Sequence, residues 1–158
     1  MAPLGLLHQW NMRCARARRH AVLAPVPAAT TLGSTRENRG EPMRIHNLFA
    51  DANGISHFRD IEVAWVEERE FSKLSARLPA SGIIFRETSG AYDLDWHPAP
   101  RRQYIINLDG AVQITASDGE SRIIGAGEVL LVEDTTGKGH LSKSVGGKMR
   151  RSIFVPIE

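Results

Sequence analysis

The sequence predicts an all-β domain, and three observations carry that prediction. Short apolar runs recur at roughly 8–12-residue spacing, glycine-containing turns separate them, and no long stretch keeps a 3.6-residue period. In chain order, Ile61–Val66 places Ile61, Val63 and Trp65 on one face at period two, which reads as a strand. Ile83–Phe85 is a short apolar run after Pro79-Ala-Ser-Gly82. Tyr104–Leu108 and Val112–Ala116 flank Asp109-Gly110, a dipeptide suited to the positive φ angles of a tight hairpin turn. Asp118-Gly119 repeats that signal before Arg122–Ile124. Gly125-Ala-Gly127 turns the chain into Glu128–Glu133, and Ser152–Val155 reads as the final strand. The rival element is Val66–Leu78, where Phe71, Leu74 and Leu78 sit at helical spacing behind Glu67, Glu68 and Glu70. It is expected to be a loop or a short helix, because isolated helices of that length are marginal. Such a series of short strands suits a sandwich or a barrel.

Length and charge set the organisation. The 158 residues are room for one domain, and 42% hydrophobic with 24% charged residues is a globular composition. The formal charge of +2 averages two unlike parts. Residues 1–42 carry a net of +4, and residues 43–158 a net of −2. Residues 1–42 are expected to be a disordered basic extension, read from an upstream start with the natural chain beginning at Met43. A secretory signal, a transit peptide and a nucleic-acid arm are the alternatives. Pro25 and Pro27 break the apolar stretch, and the arginines lack amphipathic spacing and interleaved aromatics. Residues 43–158 are expected to form the β domain.

Several function classes find no support. The single cysteine, Cys14, excludes an internal disulfide framework and a zinc site of several thiolates. No apolar run is long enough to cross a bilayer, and a cytoplasmic location is expected. Phosphate-binding loop, dinucleotide and nucleophile-elbow motifs are absent. The body has no basic stripe with aromatics, so neither a nucleic acid nor a membrane is expected as partner.

Two segments carry a family resemblance. His97-Pro-Ala-Pro-Arg-Arg-Gln103-Tyr-Ile-Ile-Asn-Leu-Asp-Gly110 resembles the first cupin motif. Gly127-Glu-Val-Leu-Leu-Val-Glu-Asp-Thr-Thr-Gly137-Lys-Gly-His140 resembles the second. The resemblance covers about residues 58–158. It implies a double-stranded β-helix, that is, a cupin jelly-roll barrel. It also implies a metal set in which His97 stands for the first histidine, Gln103 takes the place of the usual Glu, and His140 is the last histidine. The second histidine falls at Ala99, which has no ligand atom. The implied cofactor is therefore none, or a weakly bound divalent ion (Fe, Mn, Ni or Zn), unless Glu87 or Asp95 turns inward.

The interior is expected to bind a small molecule. Gln103, Ile105 and Asn107 share the face that the resemblance turns inward. Buried amides need partners, from the protein or from a ligand. Arg86, Arg101 and Arg102 are candidates for contact with a carboxylate or phosphate, with one or two of them facing the cavity. Trp96 and Tyr92 are candidate walls, and His46 and His57 are read as surface groups. Two functions remain. One is a small-molecule-binding cupin without a complete metal site, holding a polar or anionic ligand through Arg86, Trp96, His97, Arg101, Gln103, Asn107 and His140. The other is a metal-dependent cupin enzyme, a dioxygenase or an isomerase. A homodimer through edge strands is expected by analogy.

Overall fold

The computed structural model of the chain describes residues 42–157. The expected disordered extension therefore lies, but for its last residue, outside the described residues. The described chain is all strand and turn: β1 (Arg44–Ala50), β2 (Ser56–Glu62), β3 (Trp65–Arg69), β4 (Ser72–Ser75), β5 (Ile84–Thr88), β6 (Asp93–His97), β7 (Gln103–Asn107), β8 (Val112–Ala116), β9 (Ser121–Ile124), β10 (Val129–Glu133), β11 (His140–Ser144) and β12 (Arg150–Pro156). Six strands pair in the order β2-β1-β10-β7-β12-β5, and four in the order β6-β11-β8-β9. β3 and β4 form a separate ribbon. β1 runs parallel to β10, and the other pairs are antiparallel. Pairing among the described residues thus gives two open sheets, not one closed ring.

Alternation of side chains builds the core between these sheets. Leu48 and Phe58 come from β1 and β2, Leu130 and Val132 from β10, and Ile105 packs against them from β7. Val112, Ile114 and Ala116 come from β8 and Ile124 from β9. Burying each larger aliphatic side chain stabilises the fold by about 1.5–3 kcal/mol. The same period-two rule turns Gln103 and Asn107 inward on β7, and Arg150, Ser152, Phe154 and Pro156 inward on β12. Asn107 braces three strands. Its Nδ2 donates to the Ile124 carbonyl at 2.9 Å, and its Oδ1 accepts from the Ser152 hydroxyl at 3.0 Å.

Four expectations are corrected. Asp109-Gly110 closes no hairpin, because β7 and β8 belong to different sheets. The dipeptide supplies the positive φ (63° at Gly110), but pairing is decided elsewhere, as β7 lies between β10 and β12. Asp109 instead accepts from the Arg151 backbone N–H at 2.6 Å. Asp118-Gly119 is a true hairpin turn, joining the paired β8 and β9. Second, Val66–Leu78 is neither loop nor helix but mostly the β3–β4 ribbon. Phe71, taken as part of a helical face, sits at its turn and is 91% exposed. Third, the run Ile61–Val66 is split between β2 and β3 at Val63-Ala64. Fourth, His46 is buried rather than on the surface, with its Nε2 3.4 Å from Glu128 Oε1.

His57 ties β2 to the β8–β9 turn, with Nδ1 2.7 Å from Asp118 Oδ2 and Nε2 3.4 Å from Asp51 Oδ2. The hydrogen bond to Asp118 holds the imidazole above its ordinary value. A raised folded-state pKa contributes stability that is complete below the unfolded value of about 6.5 and is lost as pH rises through the folded one. Thermal melts between pH 6 and 9 should therefore fall with rising pH, and fall less steeply in His57→Gln. Asn107→Leu should cost about 1–3 kcal/mol per orphaned buried group in urea denaturation, since the Ile124 carbonyl and Ser152 hydroxyl lose their partner.

Candidate functional site

A cavity of about 250 Å³ lies between the two sheets, and residues of both line it. Its walls are apolar, among them Ile105, Ile114 and Phe154. His97 and His140 stand opposite each other in the β6–β11 ladder, and Gln103 lines the same cavity from β7. Arg86 is opposite Ser152, and Arg150 is two residues further along β12, opposite Thr88. Gln103 is opposite Pro156 and Asn107 opposite Ser152. Along β12 the level of Arg86 is therefore four residues, roughly 13 Å, from that of Gln103, and Arg150 is six residues, roughly 20 Å, from it.

Close backbone contact positions the histidines. Gly139 has φ 71°, and a Cβ there would overlap the His97 carbonyl. Only glycine lets the chain approach so closely, and His140 follows directly. The rings lie 4.4 Å apart, centroid to centroid. His97 Nδ1 is 2.7 Å from the Asp95 carbonyl oxygen, which can only accept, so Nδ1 carries the proton. His140 Nδ1 is 2.6 Å from Oδ2 of the fully buried Asp134 and donates to it. In the neutral rings both Nε2 atoms are left as acceptors. The side-chain amide of Gln103 is buried and lines the cavity without a hydrogen bond to any described residue.

The guanidinium end carries unmatched charge. Arg150 is 4% exposed, and no described carboxylate pairs with it; its Nε is buried without a hydrogen bond to any described residue. Burial, and then the neighbouring charge of Arg86, depress its pKa below the usual arginine range. Arg86 lies 5.2 Å from the Phe154 ring centroid and 5.6 Å from that of Tyr92, and pairs with no carboxylate among the described residues. The Tyr92 hydroxyl is 2.7 Å from the Ser142 hydroxyl beside the cavity.

Of the residues singled out in the sequence, Arg86, His97, Arg101, Gln103, Asn107 and His140 all line the cavity, with Arg101 at its exposed rim. Asn107 is occupied by the protein itself. Trp96 does not line it: the ring is half-exposed, with Lys138 Nζ 4.0 Å from its centroid. Arg102 faces away and pairs with Glu133 at 2.6 Å. Ala99 is buried and lines the cavity, so the place of a second histidine is an inward one filled by a methyl group. Glu87 does not turn inward but pairs with Arg151, and Asp95 caps the Trp96 N–H. Arg150 and Asp134 were not foreseen. Extending the alternation of Ser152 and Phe154 back by one step puts Arg150 on the inner face, a signal available in the sequence.

The donor set fits a resident divalent ion poorly. Two imidazoles and an amide carry no negative charge, and the guanidiniums of Arg86, Arg101 and Arg150 line the same space. Among the described residues no group of three or more His, Cys, Asp or Glu side chains is arranged to hold a metal.

No protein-family model and no curated protein matches the chain. Solved structures similar to it include a cupin 2 conserved barrel domain protein from Leptotrichia buccalis, at 20% identity and TM-score 0.38, over 59% of this chain and 44% of that one. A conserved protein of unknown function from Streptococcus pyogenes is similar at 20% identity and TM-score 0.40, over 54% of this chain and 69% of that one. A protein from Neisseria meningitidis is similar at 18% identity and TM-score 0.39, over 51% and 79%. No helix among the described residues is long and apolar enough to cross a membrane.

Gly139→Ala should lower the urea midpoint and shift the imidazole proton resonances of His97 and His140. Gly82→Ala, where nothing lies within 4 Å of the new Cβ, should do neither.

Proposed function

We propose that this protein is a small-molecule-binding jelly-roll barrel of the cupin type whose ligand is a small anion, a carboxylate or a phosphate ester. Arg150 is the observation that carries the reading. A buried guanidinium without a counter-charge costs several kcal/mol, and the fold offers it no described carboxylate. Its fork matches the two oxygens of a carboxylate or phosphate. Arg86, itself exposed to solvent, adds a second positive charge, and the apolar walls beside Arg150 strengthen the attraction. Residues on rigid strands hold these groups in place before a ligand arrives, which lowers the cost of binding.

Metal-dependent catalysis is the weaker reading, because the cavity-facing groups are neutral or cationic where an ion needs negative charge. His97, Gln103 and His140 are better used as hydrogen-bonding groups toward the ligand.

Two opposite effects of one substitution test the reading. Arg150→Met keeps the side-chain length and removes the charge. It should raise the melting temperature of the ligand-free protein, since an uncompensated buried charge is replaced by an apolar group. It should also abolish the stabilisation by butanoate or glycerol 3-phosphate, which the native chain should show as about 2.7 kcal/mol at a hundred times Kd. A lower melting temperature with unchanged ligand response would overturn the proposal.

A further inference from the structure

We infer that the outer face of the six-stranded sheet is an interface with a second copy of this chain, the two sheets packing face to face about a two-fold axis. This face lies on the side of the sheet away from the cavity, and its use does not depend on what the cavity binds.

The alternation that turns Gln103, Ile105 and Asn107 inward on β7 turns Tyr104 and Ile106 outward, and on β12 it turns Arg151, Ile153 and Val155 outward. An antiparallel sheet with one face in water is ordinarily polar on that face. Here the registers line up an apolar row instead. Val129 is opposite Ile106, Ile106 opposite Ile153, and Ile153 opposite Phe85. His46 is opposite Leu130, so the residues before them, Ile45 and Val129, continue the row onto β1. Ile61, opposite Ile45, carries it to β2. Every strand of the sheet thus adds an Ile, Val or Phe to one line. A second row beside it holds Leu131, Tyr104 and Val155. Ile45, Ile61, Ile106, Val129 and Ile153 are only half-buried and Phe85 is 74% exposed, whereas the core lies on the other face.

The surroundings of the row point to a second copy as its cover. Charges flank it on both sides and are already paired within the chain, Glu87 with Arg151 at 3.0 Å and Glu133 with Arg102 at 2.6 Å. An apolar centre inside a polar rim is the anatomy of a protein interface. A rim whose charges are balanced has no excess of one sign to select an oppositely charged protein, a nucleic acid or an anionic membrane. Self-pairing needs only what the face has, since sheets pack with their strands nearly aligned and a two-fold axis sets each apolar row against its own copy. Five inter-strand spacings of about 4.8 Å and about six residues of 3.3 Å give the face a footprint on the order of 500 Å². A standard interface takes about 800 Å² of accessible surface from each partner. The β3–β4 ribbon, which joins the two edge strands of this sheet, supplies more: Trp65 and Val66 on it and Phe71 at its turn are exposed. Edge-to-edge pairing is the less suitable mode, because both edges carry charge, Arg59, Asp60 and Glu62 on β2 and Arg86 and Glu87 on β5.

Sedimentation equilibrium of the full chain, kept reduced so that Cys14 forms no crosslink, tests this. The protein should be a dimer at micromolar concentration. Ile106→Lys, in the middle of the row, should raise the dimer Kd by at least about thirtyfold, because two-fold symmetry places the buried charge in the interface twice. Phe85→Lys should also weaken the dimer; its side chain is 74% exposed, so this variant decides the matter should Ile106→Lys fail to fold. Ile123→Lys, at a 58% exposed position on β9 in the other sheet, should leave the Kd within about twofold. Ile106→Lys chains mixed with Ile106→Glu chains should pair with each other more tightly than either pairs with itself. A chain that stays monomeric at every concentration overturns the inference, as does a dimer that the two face variants leave intact or that Ile123→Lys weakens equally.

Discussion

A positive charge buried without a counter-charge is the constraint on which the site depends. Arg150 lies on the inner face of β12, flanked in the alternation by Ser152 and Phe154, and it is almost wholly shielded from water. Most buried ion pairs compensate desolvation within the protein, as Arg102 and Glu133 do nearer the surface. Here the opposite sign is missing from the described residues, and the second guanidinium, Arg86, adds repulsion. A fold stabilised by only about 5–15 kcal/mol keeps such a group at a real cost. On the proposed function, an anionic ligand would remove that cost on binding, which would couple affinity to the charge the free protein tolerates.

The surrounding structure keeps this strained interior from collapsing onto itself. Asn107 is satisfied by Ile124 and Ser152, so it is not free to turn to the guanidiniums and does not compete for the ligand. Aromatic faces of Tyr92 and Phe154 hold Arg86 along the wall. At the opposite end, backbone contacts rather than side chains set the geometry. The close approach of Gly139 to His97 brings two imidazoles together, and their outer nitrogens are tied to Asp95 and Asp134. The tautomers are thereby settled before a ligand arrives. The cavity therefore presents guanidiniums, two imidazoles and an amide among apolar walls.

Much of the fold was legible in the sequence, because period-two alternation and glycine turns report directly on strands. The strands β7, β8, β9, β10 and β12 agree with that reading within a residue or two, whereas β11, like β1 and β6, has no counterpart in it. Elements whose faces are not sorted by burial were harder to read. The ribbon of β3 and β4 is almost wholly exposed, so its apolar residues follow no core-facing rhythm, and Phe71 at its turn imitated a helical stripe. Asp109-Gly110 was misread for a different reason. A turn dipeptide reports local φ angles, whereas the sheet to which the next strand belongs is a matter of long-range pairing. In the site, the inward set His97, Gln103, Asn107 and His140 followed from alternation and the cupin resemblance. Arg150 did not, because a charged residue at a strand end reads as surface unless the alternation is carried through it. Asp134 lies within the second motif but at a position to which the resemblance gives no role, and its link to His140 exists only in three dimensions.

The most direct test is to watch Arg150 itself. Its Nε–H is buried and without a hydrogen bond, so its nitrogen-15 side-chain resonance should stand apart from those of the exposed arginines. Adding butanoate or glycerol 3-phosphate should move that signal strongly and protect its proton from exchange with water, as an anion closes the missing hydrogen bond. An Arg150 resonance that stays in place at saturating carboxylate and phosphate ester alike would contradict an interior built to receive an anion.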